Sequence, residues 1–265
     1  VTAQARITGA LQETLGVLSD SKTPRFAPLV PAGVRAEGNG VLTLDLRIPA
    51  RAPQQSGIAG YYVCLNNNLE FPFRAIRAEN IRCGMEFNET GLRAGRLDAR
   101  LLGGETVFEA QPLAAPAGGA RIEARGTITQ TGFTQLFGTA LSPYLIGQAP
   151  WQARLSPGPA GSTLHFESDL SGIELRLPAP LAKAPGEPLR LAMDSSPMGA
   201  DMHVLDIQAG KRVTGKLAFR HTASGWAFAR GRIGIGETVT PLPSAAPGLH
   251  LSALLPALDT DRWWP

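Results

Sequence analysis

Apolar and polar residues alternate along most of this chain. Leu42, Leu44, Leu46 and Ile48 are separated by mainly polar residues. The same alternation recurs at Leu69/Phe71/Phe73, Leu97/Ala99/Leu101, Ile122/Ala124/Gly126/Ile128, Leu164/Phe166, Ile173/Leu175/Leu177, Leu189/Leu191/Met193 and Leu217/Phe219. Since successive side chains of a β-strand point to opposite faces, the pattern predicts roughly fifteen strands, each with one apolar and one wet face.

Turn-forming residues separate these strands. Examples are Asn66-Asn67-Asn68, Gly103-Gly104, Pro157-Gly158 and Ser224-Gly225. Strands this close in sequence, without crossover helices between them, pair in antiparallel fashion.

Helical spacing is confined to two short stretches. Leu11, Leu15 and Leu18 predict a helix over Gly9–Leu18, and a second apolar set predicts one near Gly132–Thr139. The predicted fold class is therefore mainly β, with a few short helices.

An antiparallel sheet of this size has to cover its apolar side or leave it open for a ligand. Aromatic residues make up only 6% of the chain, so small and aliphatic residues dominate the inward positions. We expect an elongated, curved sheet that forms an apolar groove suited to acyl chains, with a closed sandwich core as the alternative. The predicted groove-lining residues are Leu42, Leu44, Leu46, Ile48, Leu164, Phe166, Leu175, Leu177, Leu217 and Phe219.

Composition adds support for many turns and argues against nucleic-acid binding. The 265 residues include 30 Gly and 22 Pro, about 20% together against the usual ~12%. The 25 basic and 22 acidic residues are scattered, and no Lys/Arg block is present. We therefore expect no nucleic-acid partner.

The cysteines leave two alternatives open. Cys64 and Cys83 are the chain's 2 cysteines, and an even number permits a disulfide in an oxidising compartment. The alternative, which the sequence favours, is two buried free thiols that pack as small hydrophobic residues. Cys83 alternates with Met85 and Phe87 and is expected on an apolar face.

Candidate catalytic and metal-binding chemistry is weak. His165, His203, His221 and His250 lie far apart in sequence, without Cys, Asp or Glu at ligand spacing, so no metal site is predicted. The stretch 210–216 has phosphate-loop spacing, but Leu217 stands where Ser or Thr binds magnesium, and a strand pattern follows. No cofactor and no catalytic residue are predicted.

One segment carries a family signature. Residues 168–183, SDLSGIELRLPAPLAK, resemble the signature of the YhdP family of AsmA-like bacterial envelope proteins. The matching positions, expected to be structural, are Ser168, Asp169, Leu170, Gly172, Leu177, Pro178, Pro180, Leu181 and Lys183. Turn formation is expected of Asp169, and a solvated position of Lys183, with contact to a lipid phosphate as the alternative. Stretches around Gly60–Phe87, Gly147–Trp151 and Pro247–Trp263 also resemble the family pattern in the right order.

This resemblance implies a function and a location. Members of the family are anchored in the inner membrane, extend through the periplasm and are implicated in phospholipid movement toward the outer membrane. The chain starts at Val1 without a recognisable signal peptide, so we expect residues 1–265 to form one continuous groove segment of a longer protein. The expected partners are a phospholipid or other acyl lipid and, through other parts of the protein, both membranes. The alternatives are a structural envelope domain without lipid passage and an envelope hydrolase.

Overall fold

The structure is a computed structural model that describes residues 2–20, 34–49, 56–71, 76–88, 91–113, 120–158, 160–199, 201–222, 225–237 and 247–255. Its elements up to residue 141 are β1 Thr2–Ala10, α1 Leu11–Asp20, β2 Arg35–Glu37, β3 Asn39–Arg47, β4 Gly57–Phe71, β5 Ile76–Asn88, β6 Gly91–Leu101, β7 Gly104–Pro112, β8 Ala120–Ile128 and α2 Gln130–Leu141. A 3₁₀ turn, Ser142–Tyr144, follows. The remaining strands are β9 Leu145–Gly147, β10 Ala149–Ser156, β11 Thr163–Ser168, β12 Ile173–Leu175, β13 Leu191–Pro197, β14 Met202–Ala209, β15 Val213–Thr222, β16 Gly225–Ile235 and β17 Gly248–Ala253.

The predicted fold class is confirmed. Among the described residues, fifteen strands belong to one large, mostly antiparallel sheet, and β9 and β12 form a separate two-stranded sheet. The described residues divide into two compact units. Unit 1 lies within residues 1–126 and 154–158, and unit 2 within residues 127–153 and 159–265.

Unit 1 is built mainly from neighbouring antiparallel strands. Their order is β1-β3-β4-β5-β6-β7-β8, with β2 paired to β4 beyond the end of β3. The short turn at Leu102 and Gly103, both with positive φ, joins β6 to β7.

The first helix begins two residues later than the spacing predicted. Gly9 and Ala10 pair with Gly40 and Asn39 and so remain part of β1. Sheet pairing therefore outweighs the helical pattern at these residues, and α1 begins at Leu11. The second helix, α2, is longer than predicted and contains non-helical backbone at Gly138.

The predicted turn at Asn66-Asn67-Asn68 is wrong. Strand β4 continues through these residues, and its register with β5 shifts on both sides of Asn67. Such a β-bulge inserts unpaired residues without ending the strand. Asn67 is fully buried and its side-chain amide donates to the carbonyl oxygen of Asn39, 3.0 Å away.

Unit 2 has the sheet order β11-β13-β14-β15-β16-β17. These neighbours are antiparallel except β16 and β17, which run parallel. The predicted strand over Leu189, Leu191 and Met193 begins only at Leu191. Leu189 is buried before the strand, and its N–H donates to the carbonyl oxygen of Asp169 at 2.7 Å.

Candidate functional site: two apolar sheet faces

The strand register places apolar side chains of unit 1 on one face of the sheet. Residues directly opposite each other on paired strands share a face, and Ile7, Leu42, Tyr62 and Met85 form one such row across β1, β3, β4 and β5. We call this face the unit-1 floor. Its larger members are Ile7, Leu42, Leu44, Leu46, Ile58, Tyr62, Met85, Phe87, Leu97, Phe108 and Ile122.

The opposite face of unit 1 carries charge. Glu109 lies within ion-pair distance of Arg96 (3.7 Å) and Arg125 (3.1 Å), and Arg154 lies 3.3 Å from Glu123. These exposed pairs each contribute little stability, but their charged side chains show that this face is in contact with water. Unit 1 is therefore apolar on one face and charged on the other.

Helix α1 covers part of the unit-1 floor. Leu11 is buried in a cluster with Tyr62, Cys64 and Cys83, and Leu15 packs against it. Leu44 and Leu46 are only half-buried, and Ile7 remains 50% exposed. The floor is therefore partly covered and partly open.

Aromatic rings lie flat across glycines of this floor. A Cβ added to Gly40 would lie 2.0 Å from the hydroxyl oxygen of Tyr62, and one added to Gly60 would lie 2.3 Å from the ring of Phe87. A ring over a glycine fills the space that a side chain would occupy. Burial also raises the pKa of Tyr62.

The cysteines form a disulfide. Cys64 and Cys83 are directly paired residues of β4 and β5, and their sulfur atoms are bonded. Both lie in the cluster beneath α1. The free-thiol alternative favoured by the sequence is wrong, because the strand register, which the sequence did not specify, brings the two Cβ atoms together.

Unit 2 has an apolar face of its own, which we call the unit-2 floor. Its larger members in β11 and β13–β17 are Leu164, Phe166, Leu191, Met193, Leu205, Ile207, Val213, Leu217, Phe219, Phe228, Ile233, Ile235, Leu249 and Leu251. Each of these is half-buried or exposed. Within the described residues no second layer buries this floor.

The opposite face of unit 2 behaves differently. Met202, Val204 and Ala218 form a small buried cluster there, against which Met198 and Ala229 pack. Elsewhere this face is polar; for example, Asp206 pairs with Lys216. The buried hydrophobic side chains of these strands, Met202, Val204 and Ala218, therefore lie on this face and not on the apolar floor.

The structure brings most, but not all, predicted lining residues onto these floors. Leu42, Leu44 and Leu46 lie together on the unit-1 floor, and Leu164, Phe166, Leu217 and Phe219 lie together on the unit-2 floor. Ile48 follows the end of β3 and is 48% exposed.

Leu175 and Leu177 lie outside both floors. Leu175 is in the separate two-stranded sheet, paired with Leu145, and Leu177 follows β12 outside any strand. Their alternation resembles that of the large sheet, but the strand ends before Pro178.

Other floor residues were not singled out from the sequence. They include Tyr62, Met193, Leu205, Phe228 and Ile233. In β4 the alternation of Ile58, Gly60, Tyr62 and Cys64 indicates an apolar face, but Gly60 weakens the pattern. In β16 a register shift opposite Ala218 and Phe219 interrupts the period.

The signature segment begins with a turn built by side chains. The Ser168 hydroxyl donates to the carbonyl oxygen of Pro150 at 2.7 Å, and Asp169 Oδ1 accepts from the N–H of Ser171 at 2.9 Å. The bonds to Ser171 lower the pKa of Asp169. The predicted turn-forming role of Asp169 is confirmed.

Close backbone approach explains Gly172. A Cβ there would lie 2.0 Å from the carbonyl oxygen of Gln148, and one on Gly147 would lie 2.2 Å from that of Gly172. These contacts accompany the pairing of Ile173 with Gly147, which joins β12 to β9.

Lys183 ends the signature in a buried position. Its side chain is 2% exposed, and Nζ donates to the carbonyl oxygens of Ile173 at 2.5 Å and Ala184 at 3.0 Å. Burial lowers the pKa of Lys183. Both the solvated position and the lipid-phosphate contact expected from the sequence are therefore wrong, because the chain folds back and places the ammonium among backbone carbonyls.

Two further features of the described residues concern metal binding and membrane insertion. No group of three or more His, Cys, Asp or Glu side chains there is arranged to hold a metal ion. In the same part of the chain, every helix is too short or too polar to cross a membrane.

Together these features define a class of protein, a mainly β protein whose strands are apolar on one side and polar on the other. The YhdP protein family model matches residues 1–265. The chain belongs to the YhdP family, as the signature predicted, and thus to the AsmA-like proteins of the bacterial envelope, which are not known as enzymes. No curated protein and no solved structure matches the chain.

Proposed function

We propose that the two floors hold the acyl chains of phospholipids and guide them between the inner and outer membranes, without catalysis. The unit-2 floor carries this proposal: its large apolar side chains remain half-buried or exposed, while Met202, Val204 and Ala218 on the other face are buried. Large apolar patches on a protein surface mark sites of interaction. Family membership supports an acyl lipid as the partner.

The physical basis of guidance is solvation. Each methylene group removed from water contributes about 0.8 kcal/mol. A floor of similar aliphatic side chains gives neighbouring positions nearly equal free energy, so a lipid can move along it. Glycines covered by flat rings, as at Gly40 and Gly60, avoid deep local pockets.

The disulfide supports a periplasmic location. Disulfides persist in oxidising compartments, and the bacterial periplasm is one. Cys64 and Cys83 are bonded across adjacent strands. Attachment to the inner membrane through other parts of the protein belongs to the same proposal.

The proposal is tested by placing a charge on each floor. Leu44→Asp and Leu217→Asp in the intact protein are expected to abolish complementation of a deletion strain, because a carboxylate interrupts the apolar path. Both positions are half-buried, so the new charge can reach water and the protein should stay folded. Thr43→Asp and Gln208→Asp place the same charge on the polar faces and serve as matched controls.

Melting temperature, measured on the same variants, separates the outcomes. Loss of complementation with near-normal melting supports a lipid path. If Leu44→Asp and Leu217→Asp fail to fold while the control variants Thr43→Asp and Gln208→Asp fold normally, the structural alternative is favoured. In that alternative the apolar faces serve only for packing. Normal complementation with normal folding would rule out these floors as the path.

A further inference from the structure

Three nitrogen-bearing rings gather at one end of the unit-2 floor. His203 is the second residue of β14, His221 the second-last residue of β15 and Trp226 the second residue of β16. The indole of Trp226 lies edge-on to both imidazoles, with ring centroids 4.8 Å from His203 and 5.0 Å from His221. We call these three residues the ring cluster.

The ring cluster makes the floor chemically asymmetric along its strands. Phe219 and Phe228 pack edge-to-face beside it, and aliphatic residues follow along the strands. The opposite strand ends carry Ala209, Val213 and Ile235, paired in one row. Within β11 and β13–β17, indole and imidazole groups on this floor occur only in the ring cluster.

The dimensions fit a lipid laid along the strands. From His203 to Ala209 the floor extends about 20 Å at ~3.3 Å per residue. One leaflet of a bilayer has about 15 Å of hydrocarbon, half of the ~30 Å core. An acyl chain that starts at the ring cluster therefore ends near the aliphatic strand ends.

The ring nitrogens are available to a ligand. Nδ1 of His203 lies 3.4 Å from the Ser195 hydroxyl, and the side chain of His221 is exposed. Trp226 is 42% exposed. Burial lowers the pKa of His203.

We propose that the ring cluster binds the phosphodiester of a diacyl lipid whose acyl chains lie on the unit-2 floor. Indole and imidazole N–H groups donate hydrogen bonds, and phosphate oxygens accept them. Tryptophan also favours boundaries between apolar and wet surroundings. This inference rests on the proposed function, to which it adds the recognised group and the direction in which each lipid lies.

The test compares two lipids that differ only in the phosphate headgroup. Phosphatidylglycerol and diacylglycerol with the same diazirine-bearing acyl chain are offered to the intact protein in detergent micelles at equal mole fraction. We expect about tenfold more photolabelling by phosphatidylglycerol than by diacylglycerol. A few hydrogen bonds to a charged phosphate account for a difference in affinity of this order. The triple variant His203→Phe/His221→Phe/Trp226→Phe should lose this preference while diacylglycerol labelling stays unchanged.

A control and a fallback keep the test decisive. Val213→Phe adds a ring at the aliphatic end and should retain the full preference. If the triple variant does not fold by circular dichroism, Trp226→Phe alone, at an exposed position, should lower the preference about threefold.

Other results would overturn the inference. Equal labelling of the wild type by both lipids, or a preference retained in the folded variants, excludes the ring cluster as a headgroup site but leaves the proposed function intact. Complete suppression of the preference by excess inorganic phosphate would identify a site for free anions instead of a lipid site. Absence of labelling by either lipid would overturn both proposals.

Discussion

At the scale of single residues, a few polar side chains shape the signature segment by bonding to the backbone. Ser168 and Asp169 fix its first turn, and Lys183 binds two carbonyl oxygens where the chain returns. A buried carbonyl without a partner costs about 1–3 kcal/mol. These signature residues therefore stabilise the backbone of the segment. Ser168 ends a strand of the unit-2 floor, where it pairs with Leu191, whereas Asp169 and Lys183 lie outside the strands of both floors.

Replacing the buried lysine should destabilise the protein. Lys183→Met keeps the aliphatic stem but leaves the carbonyl oxygen of Ile173 without this donor. We expect a loss of about 1–3 kcal/mol in the free energy of unfolding, measured with guanidinium chloride. Lys211→Met, at an exposed position, is the control and should change stability little. Equal stability of the two variants would contradict the structural role.

The same lysine predicts a pH dependence. Burial lowers its pKa in the folded protein below 10.5, the value for an exposed lysine. In the window just below 10.5 the unfolded chain therefore binds more protons, and the free energy of unfolding rises with pH. The difference in unfolding free energy between wild type and Lys183→Met should grow as pH increases through this window. A difference that shrinks would mean that the ammonium is favoured in the folded state.

At the scale of elements, β4 and β5 are the longest strands and carry the disulfide, the bulge and the contacts with α1. A covalent bond between adjacent strands restricts the unfolded chain. The loop that it closes has a sequence separation of 19 residues.

Removing this bond should lower stability. The double variant Cys64→Ala/Cys83→Ala is expected to lose about 3 kcal/mol, since closure of a loop of this length stabilises by that order. Denaturant unfolding of the wild type with and without reductant provides the comparison, and the reduced wild type should approach the variant. Unchanged stability in both cases would show that sheet pairing alone fixes these strands.

Strand glycines beneath rings should be intolerant of side chains. Gly40→Ala places a methyl group against the buried ring of Tyr62, which α1 holds from above, and should cost about 1–3 kcal/mol. Gly95→Ala is the matched control, because the nearest atoms lie 3.4 Å from its added Cβ. Thermal unfolding of both variants checks this, and an equal change in melting temperature would argue against close packing of the ring.

At the scale of the whole molecule, the unit-2 floor differs from an ordinary core, because its large apolar side chains are half-buried or exposed. Truncating a large apolar side chain in a packed core lowers the free energy of unfolding by several kcal/mol, because a cavity remains. Side chains on an open face leave no cavity. Stability measurements can therefore distinguish the two arrangements in unit 2.

In unit 2, replacing the larger residue Leu217 should lower the free energy of unfolding less than replacing the smaller residue Val204. Leu217→Ser, on the unit-2 floor, is expected to cost about 1 kcal/mol or less, whereas Val204→Ser, in the buried cluster of the opposite face, should cost about 2 kcal/mol. Guanidinium unfolding of both variants tests the order. The reverse order would mean that the floor is covered by packing.

Much of the fold was predictable from local pattern. Alternation in β3, β11 and β15 predicted strands and the face of each side chain, because the period of a strand is fixed by backbone geometry. The pattern did not predict the bulge at Asn67 or the start of α1, where pairing with a neighbouring strand decided the outcome. Lys183 was misjudged for the same reason, since its burial depends on chain reversal.

The sequence by itself determined the strand-rich fold, the one-sided polarity of the strands and the family, because each follows from local periodicity or a contiguous motif. Only the tertiary structure decided which strands share a floor, that Cys64 bonds Cys83, and that Leu175 lies in a separate sheet. It also brought His203, His221 and Trp226 together from three strands. These outcomes depend on strand order and register, which are set by contacts between residues distant in sequence.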